Sequence, residues 1–176
     1  MSWRWICAAA FALGALGCAD DSGGAQLTEA EVTDLPTGDA TGAALTGAYQ
    51  FETVTTDCAG LCEPVSYLGF TLSPCDVGAR NDEAVDVTQE DGALQLDVQS
   101  SVWASRLSGG VWADGSYDVG GYKTENGGSV RFISQARGTV TDEGVWDGVL
   151  TLRTAGSFEG QAVDCTATVD LTGAPR

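Results

Sequence analysis

The chain predicts an all-β fold: a single antiparallel meander of about eight strands over residues 45–176, closed into a barrel in preference to a sandwich. Three observations carry this. From Leu45 onward apolar residues recur with a period of two, the spacing that gives a strand one dry and one wet face, and no convincing run of helical period interrupts them. Short turn signals drawn from 24 glycines separate the runs, so successive strands are expected to pair as neighbours. Cysteines near the first and last runs allow a bond that brings the two ends of the meander together, as a closed barrel requires.

In chain order, Leu45, Tyr49 and Phe51 alternate with Thr46, Gln50 and Glu52 in a first strand. Residues 57–82, rich in Pro, Gly and Cys, read as a disulfide-pinned loop or lid with a short strand at Ser66–Leu72, and a loop of this length is uncommon without a role. Val85 and Val87 alternate with Asp86 and Thr88; Leu94, Leu96 and Val98 alternate with Gln95, Asp97 and Gln99. The Asp91-Gly92 pair between these runs suits a tight hairpin turn. Ser101–Leu107 and Gly110–Val119 are expected as strands around a turn at Ser108-Gly109, and Asn126-Gly127-Gly128 turns the chain into Val130–Val140, where Val130, Phe132, Ala136 and Val140 share a face. Trp146, Leu150 and Leu152 share a face of the next strand, and Val163, Cys165, Ala167, Val169 and Leu171 share a face of the last.

The amino-terminal residues are of another kind. Arg4 precedes an apolar run from Ile6 to Leu16, then Gly17 and Cys18. That run spans about 17 Å as a helix, short of the ~30 Å bilayer core, so residues 1–17 read as a signal peptide and not a transmembrane helix. Ala15-Leu16-Gly17-Cys18 resembles the lipobox of bacterial lipoproteins, with Ala15 where a leucine is usual. The resemblance covers only these first residues. It implies diacylglyceryl transfer to the Cys18 sulfur, cleavage after Gly17, acylation of the new amino group and attachment to the membrane through the acyl chains. Ala19 after the cysteine implies the outer membrane in preference to the inner. Residues 19–44 lack aromatic residues and read as a flexible acidic tether with a reach of about 30 Å. Within them Thr28 and Glu31 have capping-box spacing, allowing a short helix over residues 29–35 that is marginal without a partner.

Eight basic side chains face 25 acidic ones, a net charge of −17. No basic footprint for nucleic acid exists, and the field opposes attachment to anionic headgroups. Apart from Cys7 in the signal and Cys18, four cysteines remain, and in an exported chain they read as two disulfides. Cys62–Cys75 with Cys58–Cys165 is the preferred pairing of the three possible. Zinc spacing is absent.

With no histidine in the chain, Ser-His-Asp and Cys-His chemistry is excluded. No phosphate-cradling glycine loop follows a strand. Asp114 with Asp118, or Asp142 and Glu143 with Asp147, could offer oxygen ligands to calcium, but neither group matches an EF-hand and solvated turn acids are the ordinary alternative. Trp103, Trp112, Trp146, Tyr67, Tyr117 and Tyr122 could line a barrel mouth, or simply fill the core. The expected function is therefore that of an envelope-anchored lipoprotein with a non-catalytic β domain and no cofactor. It would bind an apolar small molecule or envelope component in a barrel similar in architecture to lipocalin-like or avidin-like ones. The alternatives are a structural or interaction module with a filled core and, remotely, a glycoside hydrolase working with two carboxylates. An open pocket of roughly 300 Å3 or more favours binding over the filled core.

Overall fold

The computed structural model describes residues 26–67, 69–100 and 103–176. The expected signal peptide and Cys18 lie outside them. Strands β1 (Gly47–Leu61), β4 (Arg80–Glu90), β5 (Ala93–Val98), β6 (Arg106–Val111), β7 (Ser116–Glu125), β8 (Val130–Val140), β9 (Trp146–Phe158) and β10 (Gln161–Pro175) form the closed antiparallel meander. Two further strands, β2 (Val65–Tyr67) and β3 (Phe70–Leu72), make a separate hairpin in the β1–β4 connection. Closure is by β1 on β10, from Tyr49 opposite Pro175 to Leu61 opposite Asp164.

The alternation read from the sequence is the alternation of the barrel wall. Tyr49, Phe51, Val85, Val87, Leu94, Leu96, Ala136, Trp146, Leu150, Val169 and Leu171 all project into one core. Asp91, at φ 50, turns β4 directly into β5, with Glu90 opposite Ala93.

Apart from the single short strand expected at Ser66–Leu72, which is the β2–β3 hairpin, three segments differ from expectation. Ser108-Gly109 is not a turn but the middle of β6, and the reversal falls at Trp112–Gly115, where the Gly115 amide donates to the Trp112 carbonyl at 2.9 Å. A positive φ of 81 at Gly115 makes Asp114-Gly115 the better turn. Gly110 instead lacks a side chain because another backbone lies against it: a Cβ there would collide with the Gly38 amide and Pro36 carbonyl. The second difference is the long loop, which shrinks to residues 62–79 because β1 and β10 stay paired to Leu61.

The third correction concerns the flexible tether expected over residues 19–44. From Gln26 on, the chain is a strap bound to the barrel. Helix α1 (Glu29–Thr33) forms with the full capping box of Thr28 and Glu31. It is held because Val32 packs with Leu27 on Ile133, an outward residue of β8, and this buried apolar contact supplies what a helix of under two turns lacks alone. Arg153 donates to the Leu27 carbonyl and Gln26 side chain, both at 2.9 Å. Further on, Gly38 N donates to Gly92 O and Ala40 N to Val111 O, while the Gly42 and Asp91 residues exchange two hydrogen bonds. The strap thus descends the outer wall from the β8–β9 surface to the β4–β5 and β6–β7 turns, and Leu45 enters the core beneath them.

Candidate functional site

The barrel has two unlike ends. At the end bearing the β4–β5, β6–β7 and β8–β9 turns, four aromatic rings fill the interior. Trp146 lies with its ring centroid 5.0 Å from Tyr117, 5.5 Å from Phe51 and 5.8 Å from Tyr49, mostly edge to face. Gly173 makes room for this cluster, since a Cβ there would overlap the Phe51 ring.

At the opposite end the inward residues become small or polar: Thr53 and Thr55 on β1, Thr154 on β9 and Ala167 on β10. The space they leave is a cavity of about 370 Å3, walled by Trp103, Phe132, Leu152, Phe158 and Val169 and roofed by Val65, Leu72 and Pro74 of the 62–79 loop. Its apolar character follows from position. Each strand has carried its dry face past the aromatic cluster without enough side-chain volume to meet across the barrel.

The roof is pinned by two disulfides, Cys58–Cys75 and Cys62–Cys165. This exchanges the expected pairing, and the register explains why. Cys58 stands opposite Ala167 and Cys165 opposite Gly60, so Cys58 and Cys165 are diagonal neighbours. Such pairs lie about 7–8 Å apart, beyond the reach of a disulfide. A bulge between Thr55 and Asp57 shifts the alternation of β1 by one residue. Cys58 then shares the inward face with Ala167, where Cys75 of the roof meets it. Cys62, just past the end of β1, folds back onto Cys165. Ser66 N also donates to Gln161 Oε1 at 2.7 Å, fixing the β2–β3 hairpin to the β9–β10 turn.

Of the aromatic residues proposed for a mouth, Trp103 lines this cavity, in the β5–β6 connection whose Ala104 amide donates to the buried Ser134 hydroxyl at 3.0 Å. Tyr117 and Trp146 belong to the filled end, Trp112 to the β6–β7 turn and Tyr122 to the outer wall, 45% exposed. Phe132 and Phe158 do the lining instead. Phe132 was legible as inward facing, whereas nothing in the local pattern says which inward residues bound a void.

The opening carries charge. Asp76 and Glu125 line it. Glu125 pairs with Lys123 at 3.1 Å, and the Lys123 ammonium sits 5.0 Å over the Phe132 ring. Glu83, on the inward register of β4, has its carboxyl pushed up by burial, against a hydrogen bond from Ser100.

A larger shallow depression, about 660 Å3, lies at the filled end around Trp112, Asp114, Asp118 and Arg137. It is open to solvent and its acids are occupied. Asp114 accepts from the amide and hydroxyl of Ser116, and Asp118 accepts from Gln135 and Arg137. Among the described residues no three His, Cys, Asp or Glu side chains converge as a metal site. No helix among them is long and apolar enough to cross a membrane. Comparison of the chain with family models, curated proteins and solved structures finds no match.

Proposed function

We propose that this chain is a lipoprotein domain of the bacterial envelope that binds an apolar small molecule in the roofed end of its barrel and catalyses no reaction. One observation carries the reading: a cavity of about 370 Å3 with apolar walls at one end of a barrel whose other end is fully packed. That volume falls within the range of pockets that bury small ligands, about 300–1,000 Å3. A protein selected only for stability would gain by filling it. The disulfide-pinned roof supports the same reading, because it keeps the cavity preformed and lowers the ordering penalty on binding. Membrane attachment rests on Ala15-Leu16-Gly17-Cys18, with acyl chains on Cys18 as the anchor and the outer membrane as the favoured address.

The test of binding is native mass spectrometry of the protein purified from its envelope, with displacement of an environment-sensitive apolar dye. Wild type is expected to take up dye in a one-to-one ratio. Ala167→Trp, which places a ring in the cavity, should abolish uptake while leaving the β spectrum intact. A variant that binds dye as well as wild type would reject the pocket and leave the interaction-module reading in its place. For the anchor, intact mass should show three acyl chains on an amino-terminal Cys18, and Cys18→Ser should leave the precursor uncleaved or the protein released from the membrane.

A further inference from the structure

The polar groups of the cavity say what kind of head its ligand bears. Thr53 is satisfied, donating to the Asn81 carbonyl at 3.3 Å. Thr55 is only 9% exposed and lines the cavity, and its hydroxyl makes no hydrogen bond among the described residues. It is a cavity-facing hydroxyl open to water, and a ligand's polar head can take that water's place. Thr55 sits on β1 beside Asp76, whose loop is bonded to it through Gly78 N to Thr55 O at 2.8 Å. Glu125 stands on β7, four strands from β1 in either direction round the ring of eight, so the two carboxylates face the opening from opposite sides.

Of the two, only Glu125 is paired with a cation among the described residues, Lys123 at 3.1 Å. Arg131 and Arg153 project outward, to Glu29 at 3.0 Å and Asp164 at 2.7 Å. Lys123 is engaged by Glu125, the Ser100 carbonyl and the Phe132 ring. Asp76 and Glu125 against Lys123 leave one uncompensated carboxylate at the mouth, Asp76, within a chain of net charge −17.

We propose that the ligand is an apolar amine, its hydrocarbon body held among Trp103, Phe132, Leu152 and Phe158, its ammonium between Asp76 and Glu125 and within reach of the Thr55 hydroxyl. Carboxylate-headed molecules with the same body are rejected, because their charge would enter a mouth already occupied by like charge. The inference rests on the binding reading above and adds the chemical class.

The experiment titrates the soluble Cys18→Ser chain lacking its signal peptide with dodecylamine, dodecanol and dodecanoate below their micellar concentrations, following tryptophan fluorescence and heat. The amine is expected to bind at least about tenfold more tightly than the carboxylate, with the alcohol between them. In an Asp76→Asn, Glu125→Gln double variant the amine-to-carboxylate ratio should fall toward one while the alcohol is unaffected. Raising salt to about 1 M should compress the ratio as well. The Ala167→Trp variant separates cavity binding from adsorption to the acidic surface, and amine affinity that survives it overturns the proposal. Equal affinities for the three heads, or preference for the carboxylate, overturn the head selectivity and leave the pocket reading intact. Failure of all three to bind overturns both.

Discussion

Tyr117 buries its ring against Trp146 and leaves its hydroxyl without a hydrogen bond among the described residues. Burial, with Asp147 nearby, pushes that phenol far above its ordinary pKa. A buried hydroxyl without a partner carries its desolvation penalty uncompensated, so Tyr117→Phe is expected to stabilise the domain by about 1 kcal/mol, read as a higher denaturant midpoint at unchanged slope. Asp164 is the opposite case. Hydrogen bonds from the Arg153 guanidinium, at 2.7 and 3.0 Å, hold its carboxyl below the usual carboxylate range. A carboxyl depressed in the folded state stabilises fully above its unfolded pKa, and the stabilisation is lost as pH falls through the folded value. The stability difference between wild type and Asp164→Asn should therefore be constant from neutral pH down to about 5 and shrink below about 4. Equilibrium unfolding across that range measures it.

At the scale of elements, the strap and the roof decide most. The strap is held by a few buried contacts, Val32 and Leu27 on Ile133 and the backbone bonds of Gly38 and Ala40. Val32→Asp would bury a charge there, so the strap should detach before the barrel melts. Hydrogen exchange of the amides of residues 38–42 is expected to rise about tenfold or more with β8, β9 and β10 unchanged. The roof depends on its disulfides. The Cys62–Cys165 bond spans 103 residues and Cys58–Cys75 spans 17. Loop-closure entropy gives about 4.7 and 3 kcal/mol for loops of such lengths. Replacing Cys62 and Cys165 by Ser should accordingly lower stability more than replacing Cys58 and Cys75. Loss of the shorter link should instead open the roof, measurable as faster ligand dissociation. The even number of cysteines pointed to two disulfides, but the partners depended on the β1–β10 register and its bulge, which no spacing reveals.

For the molecule as a whole, the asymmetry of the two ends sets the response to ligand. A molecule that binds only the folded barrel adds about 2.7 kcal/mol at a hundredfold excess over Kd, so melting temperature should rise with dodecylamine concentration in wild type and stay fixed in Ala167→Trp. Packing of the strap also bears on the proposed attachment through Cys18. With residues 26–44 bound to the barrel, only residues 19–25 separate it from Cys18, a contour of at most about 29 Å. Gln26 is held by Arg153, which pairs in register with Ile133 and Thr166 on the cavity half of the wall. Acylation at Cys18 would therefore keep that half of the barrel near the bilayer.

Most of the barrel strands, the faces they bury and the meander order were legible in the sequence, because alternation and turn dipeptides act over a few residues and each run carries its own signal. Val163, Cys165, Ala167, Val169 and Leu171 reach the core as their spacing requires. The missed turn at Ser108-Gly109 has a local cause of another kind. Glycine marks a close backbone approach as readily as a reversal, and at Gly110 the approaching backbone is the strap, more than 70 residues away in the chain. The strap itself, the disulfide partners and the cavity were decided only by tertiary structure. Residues 26–44 look polar and loose until Ile133 offers Val32 an apolar surface, and a void exists only where inward side chains from several strands fail to meet. Thr53, Thr55, Thr154 and Ala167 are ordinary strand residues one by one, and closure of the barrel makes them the wall of a pocket.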